Sequence, residues 1–306
     1  MKIVFVSGVK YGLDILTNIL QENIPISLIV SYSESKKNFY SDYVSFNEIS
    51  SKNNIQNVTV NNINDLENIR ILKKLNPDLI LVMGWSQILH DEIISIPKIG
   101  IIGSHPTELP KYRGRAPIPW TILKNLTQSA LTFFWIDKDT DKGDILDQQR
   151  FSISSTDDAS TLYEKITTIG KTMIIKNLEK LENNSISRIE QNELDFIEYW
   201  EKRTPEDGLI DWSISAKEID TLIRASTHPY PGAYTFFKNR KLIIWKSEFS
   251  RIEGKAGQIL DFNNKNIRVG TGKGTLLIKS FTFDGKFDNP LQLLQKEDIG
   301  EMLNNS

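Results

Sequence analysis

The chain has no cysteine in its 306 residues, which excludes disulfides, thiolate nucleophiles and cysteine-ligated zinc. Histidine is nearly as scarce. His90, His105 and His228 are scattered and form no HExxH pair, so no metal site is expected. The formal net charge is only −2, and the overall basic footprint of a nucleic-acid binder is missing. No apolar run approaches the roughly 18 residues of a membrane span. The opening MKIVFVSGVKYG has one lysine, a short apolar run and no small-residue cleavage site. It reads as a first buried strand rather than a secretory signal, and the expected location is the cytoplasm. Its first turn, SGVKYG, is not GxGxxG, so a dinucleotide site is not supported.

What remains is an ordinary globular composition, 39% hydrophobic and 25% charged, at a length that suits two domains. Lys2–Ser7 predicts a strand. Leu13, Leu16, Ile19 and Leu20 have helical spacing, and Ile26–Tyr32 predicts a second strand. This βαβ opening implies an α/β, Rossmann-like doubly wound domain. The polar segment from Ser33 to about Asn54 reads as a surface loop, with a substrate-contacting flap as the competing reading. Asn64 or Asp65 caps a helix that Asn76-Pro77 stops. Asp78–Met83 and Ile99–Ile102 predict buried strands, and Trp120–Lys124 a short helix. Ala130–Ile136 and Ile145–Ile153 predict two more strands, followed by a long helix to about Glu182. The domain is therefore expected over 1–182.

A polar, charged linker is expected over 183–203. After it, a helix near Ser215–Ser226 and four short strands (Lys241–Phe249, Gly257–Phe262, Asn266–Gly270 and Thr275–Phe283) predict a small OB-like β-barrel domain over 204–306. A last helix is expected from Leu291 to Leu303.

Gly103 to Trp120 reads GSHPTELPKYRGRAPIPW. It leaves a buried strand and is stiffened by four prolines, with His105 as its titratable group. The acidic turn DKDTDKGDIL begins at Asp137, and strands adjacent and parallel to one another would bring that turn to His105 on one rim of the sheet. A carboxylate beside an imidazole orients its tautomer and supports general acid–base work.

Four stretches, HPTELPKYRGRAPIPW, DKGDIL, RTPEDGLIDW and RASTHPYPGAYT, closely resemble the formyltransferases that use N10-formyltetrahydrofolate. The nearest branch is the sugar N-formyltransferases, which formylate amino sugars carried on nucleotides in cell-surface glycan (lipopolysaccharide) biosynthesis. The methionyl-tRNA formyltransferases share the two-domain build. The resemblance spans nearly the whole chain and implies formyl transfer to an amine, with folate as formyl donor and a homodimer as a possible assembly. It implies His105 as the proton-transfer residue and Asp141, of Asp141-Lys142-Gly143, as its partner. Asp144, Asp139 and Asp137 compete for the second role. Folate is expected to meet Gln87, Ile88 and Leu89 through backbone groups, beside Trp85, Arg115 and the Asp137, Asp139, Thr140 turn. For Arg113 a loop-pinning salt bridge is the better reading, and His228 is read as part of a structural turn.

One position departs from the family. Two residues before the histidine the family carries Asn, an oxyanion donor, where this chain has Gly103. Ser104, counted here with the catalytic residues, a freed backbone N–H, Ser86 or Gln87 are the candidate replacements. The competing reading is a non-catalytic homologue that binds folate or nucleotide. As to the acceptor, Thr204–Ser306 holds 14 Lys+Arg against 13 Asp+Glu, which disfavours a polyanion such as tRNA.

Overall fold

The computed structural model describes residues 1–183, 185–186, 188–283, 285–286, 290 and 294–304. Contacts divide the chain into two compact units. The first holds Met1–Pro117, Thr127–Ile153 and Tyr163–Glu201; the second holds Ile118–Leu126, Ser154–Leu162 and Lys202–Ser306.

In the first unit the apolar runs become strands β1 (Ile3–Ser7), β2 (Leu28–Tyr32), β3 (Asn57–Val60), β4 (Leu79–Val82) and β5 (Gly100–His105). They pair in parallel in the order β3-β2-β1-β4-β5. Helices α1 (Lys10–Gln21), α2 (Asn47–Lys52), α3 (Leu66–Leu75) and α4 (Asp91–Ile94) connect them. Ile69 and Leu72 of α3 and Ile93 of α4 close over Val4, Val6, Leu28, Val30, Ile80, Val82 and Ile101. Strand side chains alternate between faces, so these residues mark one face of the sheet.

Beyond β5 the sheet changes direction. The short strand β6 (Tyr112–Gly114) and helix α5 (Pro117–Leu123) lead to β7 (Gln128–Trp135) and β8 (Ile145–Ser152). β7 is antiparallel to both β5 and β8, which corrects the expectation of parallel neighbours. The turn between β7 and β8 is too short for a parallel crossover, which takes a dozen or more residues.

The long helix α6 (Ala159–Glu182) follows. Asn177 of α6 donates to Asp147 of β8 at 3.0 Å, and Lys176 lies 3.0 Å from the same carboxylate oxygen. Burial presses the Asp147 carboxyl upward; Asn177, Lys176 and Lys180 outweigh it, and the group ends below the ordinary carboxylate range. A pKa lowered by folding gives stability that is present above about pH 4 and lost as pH falls through the folded value. The urea midpoint should therefore drop between about pH 5 and about pH 3, and Asp147→Asn should flatten that drop. Equal drops in the two proteins would remove Asp147 from the acid response.

Two polar stretches are more structured than the sequence suggests. The 33–54 segment is packed rather than loose. Tyr40 stacks on Tyr32 at 4.3 Å, Asp42 accepts a 2.8 Å bond from the Tyr163 hydroxyl, and Lys10 N–H donates to the Asp42 carbonyl. The 183–203 stretch contains β9 (Glu198–Trp200), which pairs in parallel with β6, and Ile189 bridges to Ile145.

In the second unit α7 (Ala216–Ser226) starts at a capping box between Ser215 and Glu218. Five strands, β10 (Ala233–Phe237), β11 (Arg240–Ser250), β12 (Ile259–Phe262), β13 (Ile267–Gly270) and β14 (Thr275–Phe283), form an antiparallel sheet ordered β10-β11-β14-β13-β12. Ile219 and Ile223 of α7 join Leu242, Ile244, Leu276 and Ile278 in its core. β10 lies in a stretch that its turn formers disguised. The start of the helix expected over Leu291–Leu303 lies outside the described residues. From Leu294 the chain makes a 3-10 turn at Lys296–Asp298 and bridges at Met302 and Asn304. Among the described residues no helix is long and apolar enough to cross a membrane.

Candidate functional site

Strand β5 runs on through His105, so the histidine is the last residue of a strand rather than part of a loop. Alternation gives Gly103 and His105 the face of Ile101, and Ser104 the opposite face. His105 is buried, and among the described residues its Nε2 has no hydrogen-bond partner. An unpaired buried ring nitrogen costs free energy, and here it leaves one nitrogen available to a ligand. The other, Nδ1, lies 3.9 Å from Oδ2 of Asp141. That distance suits an ion pair and exceeds a hydrogen bond.

Asp141 reaches this place because its turn is unusually tight. Asp141 adopts φ +56°, a left-handed conformation that Asp tolerates better than most residues. A Cβ on Gly143 would lie 1.7 Å from the Trp135 carbonyl oxygen, so the glycine of the Asp-x-Gly triplet is required by close backbone approach. Asp141 Oδ2 also accepts the Gly114 N–H at 2.9 Å. Gly114 has φ +107°, and a Cβ there would lie 2.2 Å from the Trp200 carbonyl oxygen. Of the other acids in the turn, Asp137 accepts from the Asp139 N–H at 2.9 Å, and the Asp144 carbonyl accepts the Trp135 N–H.

Ser104 is not brought to His105. Its hydroxyl lies near that of Tyr11, which burial pushes far above the ordinary phenol range while Ser104 draws it back. The two do not close a hydrogen bond of normal geometry. Strand alternation sets Ser104 on the face opposite His105.

Around the β4 exit, Trp85 stacks on Tyr32 at 3.7 Å and 9°, and its indole N–H is buried with no partner among the described residues. One face of the indole is thus already covered by tyrosine. The Ser86 hydroxyl donates to Tyr40 at 2.9 Å. Gln87 accepts from Ile63 N–H at 3.0 Å and donates to the Asn61 carbonyl at 2.7 Å. The Ile88 side chain is exposed and its carbonyl accepts from Asn64; Leu89 is buried in the core beside α4. Asp137, Asp139 and Thr140 are exposed on the turn, as is Arg115, whose N–H donates to Trp200.

Sequence reasoning missed the contribution of 189–200. Arg113 is buried and makes the salt bridge expected of it, with Glu193 at 2.6 Å, and it also donates to Gln191. Half-exposed Tyr199 has its hydroxyl pushed up by burial and by the Asp141 carboxylate, with Arg115 opposing. A polar composition concealed these contacts; the Trp and Tyr of EYW were the available signal. His228, in the second unit, stacks on Trp245 at 4.0 Å.

A buried imidazole with a carboxylate beside one nitrogen has the chemistry that general acid–base work requires. Residues 1–178 match the formyl transferase family, and residues 202–293 match that family's C-terminal domain. The chain belongs to the formyl transferase family and is a formyltransferase enzyme. It is 36% identical over 228 residues to a methionyl-tRNA formyltransferase of Alkaliphilus oremlandii, covering 74% of this chain and 71% of that protein. It is 40% identical over 203 residues to the bifunctional polymyxin resistance protein ArnA of Wigglesworthia glossinidia brevipalpis. That match covers 66% of this chain but only 31% of ArnA. Among solved structures it resembles WlaRD, a sugar 3N-formyl transferase studied with dTDP and 5-N-formyl-THF. The TM-score is 0.66 at 23% identity, over 91% of this chain and 97% of that one. An N-formyltransferase from Helicobacter canadensis, in complex with folinic acid and dTDP-3-aminofucose, gives 0.67 at 21% identity, over 91% and 98%.

Proposed function

We propose that the protein transfers a formyl group from N10-formyltetrahydrofolate to the amine of a nucleotide-linked amino sugar. The bound folate supplies the activated one-carbon unit; position and proton handling fall to the chain's own residues. His105 Nε2 takes the proton from the acceptor amine and returns it toward the leaving nitrogen. Asp141 faces Nδ1 and favours the imidazolium that forms. The folate fits the loop around Trp85. Gln87 has its side chain committed to Ile63 and Asn61, so backbone groups of Gln87–Leu89 meet the flat ring, with the unpartnered Trp85 indole beside them. The Asp137–Thr140 backbone and Arg115 border the same donor.

The observation that carries the sugar reading is charge. Thr204–Ser306 is almost balanced, 14 Lys+Arg against 13 Asp+Glu, whereas holding a polyanion requires clustered cations. The second reading, methionyl-tRNA as acceptor, is favoured by the 36% identity to the Alkaliphilus enzyme. The two are separated by incubating the protein and N10-formyltetrahydrofolate with a panel of nucleotide-linked amino sugars, dTDP-3-aminofucose included, and with methionyl-tRNA. We expect one sugar to gain the mass of CO and the tRNA to remain unformylated. Formylation of methionyl-tRNA alone, with a salt-dependent gel shift, would reverse the assignment.

A further inference from the structure

We propose that Gln191 is a positioning residue for formyl transfer, holding Asp141 against His105; this rests on the reading that those two residues are the working pair. Gln191 is buried. Its Oε1 accepts from Arg113 Nε at 3.3 Å and from a terminal Arg113 nitrogen at 2.9 Å. Its Nε2 donates to the Asp141 carbonyl at 2.9 Å and to the Gly143 carbonyl at 2.8 Å. This orientation satisfies every partner: the reverse flip would set NH₂ against guanidinium and oxygen against two carbonyls.

The amide therefore ties together the two halves of the site. On one side is Arg113 of β6, one residue before Gly114, whose N–H holds the Asp141 carboxylate at 2.9 Å. On the other are the carbonyls that flank Lys142 in the left-handed turn. Arg113 is itself fixed by Glu193, with Phe196 under its guanidinium at 5.3 Å. A backbone held at positive φ stays there only when its surroundings over-determine it, and Gln191 supplies two bonds that do so. Misplacing a catalytic group by about 1 Å costs on the order of 10²-fold in rate.

The test is Gln191→Met, which keeps the length and loses both donors, alongside Gln191→Glu, which keeps the Arg113 partner should the first fail to fold. Whichever acceptor the wild type turns over, kcat should fall by about 10²-fold. Folinic acid should bind within a few-fold of wild type, and Asp141→Asn/Gln191→Met should be no slower than Asp141→Asn. An amide proton that donates to a carboxylate is deshielded, so the Gly114 resonance of the full chain should move upfield in each Gln191 variant, as it does in Asp141→Asn. If Asp141→Asn is crippled while the Gln191 variants keep wild-type kcat and an unmoved Gly114 resonance, the inference about Gln191 fails and the site reading stands. If Asp141→Asn itself turns over at the wild-type rate, the site reading fails.

Discussion

His105→Ala should lower kcat/KM by about 10³-fold, within the range that a positioned acid–base group contributes, and leave the fold intact. His105 is 6% exposed, so removing its ring opens a small cavity. Its Nε2 has no partner among the described residues, however, and deleting an unsatisfied buried nitrogen returns part of that cost. Thermal unfolding should therefore shift by only a few degrees, and folinic acid should still bind. His105→Asn keeps most of the volume without a titrating nitrogen and should be as inactive. Either variant working at wild-type rate would remove His105 from the chemistry.

Where the chain is strongly patterned, its sequence was enough to read the fold. DLILVM, ALTFFWI and the helically spaced Leu162, Ile166, Ile169, Met173 and Leu178 each carry one hydrophobic signal at one spacing. Strand direction was less legible. The antiparallel pairing of β7 with β5 is a long-range register that no local pattern encodes. Segments whose structure depends on distant partners were missed. Strand β9 exists because β6 pairs with it, and 33–54 is ordered because Tyr40 meets Tyr32 and Asp42 meets Tyr163.

At the site, the motifs pointed to His105 and Asp141, and the structure sets them 3.9 Å apart. The motif could not reveal that Ser104 faces away or that Gln191 reaches the turn from 50 residues downstream. Of the donors considered as replacements for the one missing at Gly103, Ser104 is averted, Ser86 is bonded to tyrosines and Gln87 to the backbone.

Introducing a side-chain donor at Gly103 is the sharper test, because the side chains packed against the position are known. Gly103 pairs across the sheet with Phe134. A Cβ built on it would lie 2.9 Å from both Cγ1 and Cδ1 of Ile136 and 3.2 Å from Cε1 of Phe134. Hydrocarbon occupies the space that an asparagine would need. Gly103→Asn alone therefore forces Ile136 aside at about 1–3 kcal/mol and should not raise the rate, since the amide cannot settle toward the site. With Ile136→Ala added, the carbons that block the position are gone. A preorganised donor is worth about 10²–10³ in rate, so Gly103→Asn/Ile136→Ala should exceed Ile136→Ala alone by about 10²-fold in kcat. Ile136→Ala is the proper reference, because trimming a packed isoleucine costs stability by itself. A double variant no faster than that reference would mean that the transition state already has its full complement of donors. Gly103 would then be an accommodated substitution rather than a deficit, and Ile136 the residue that took over the vacated volume.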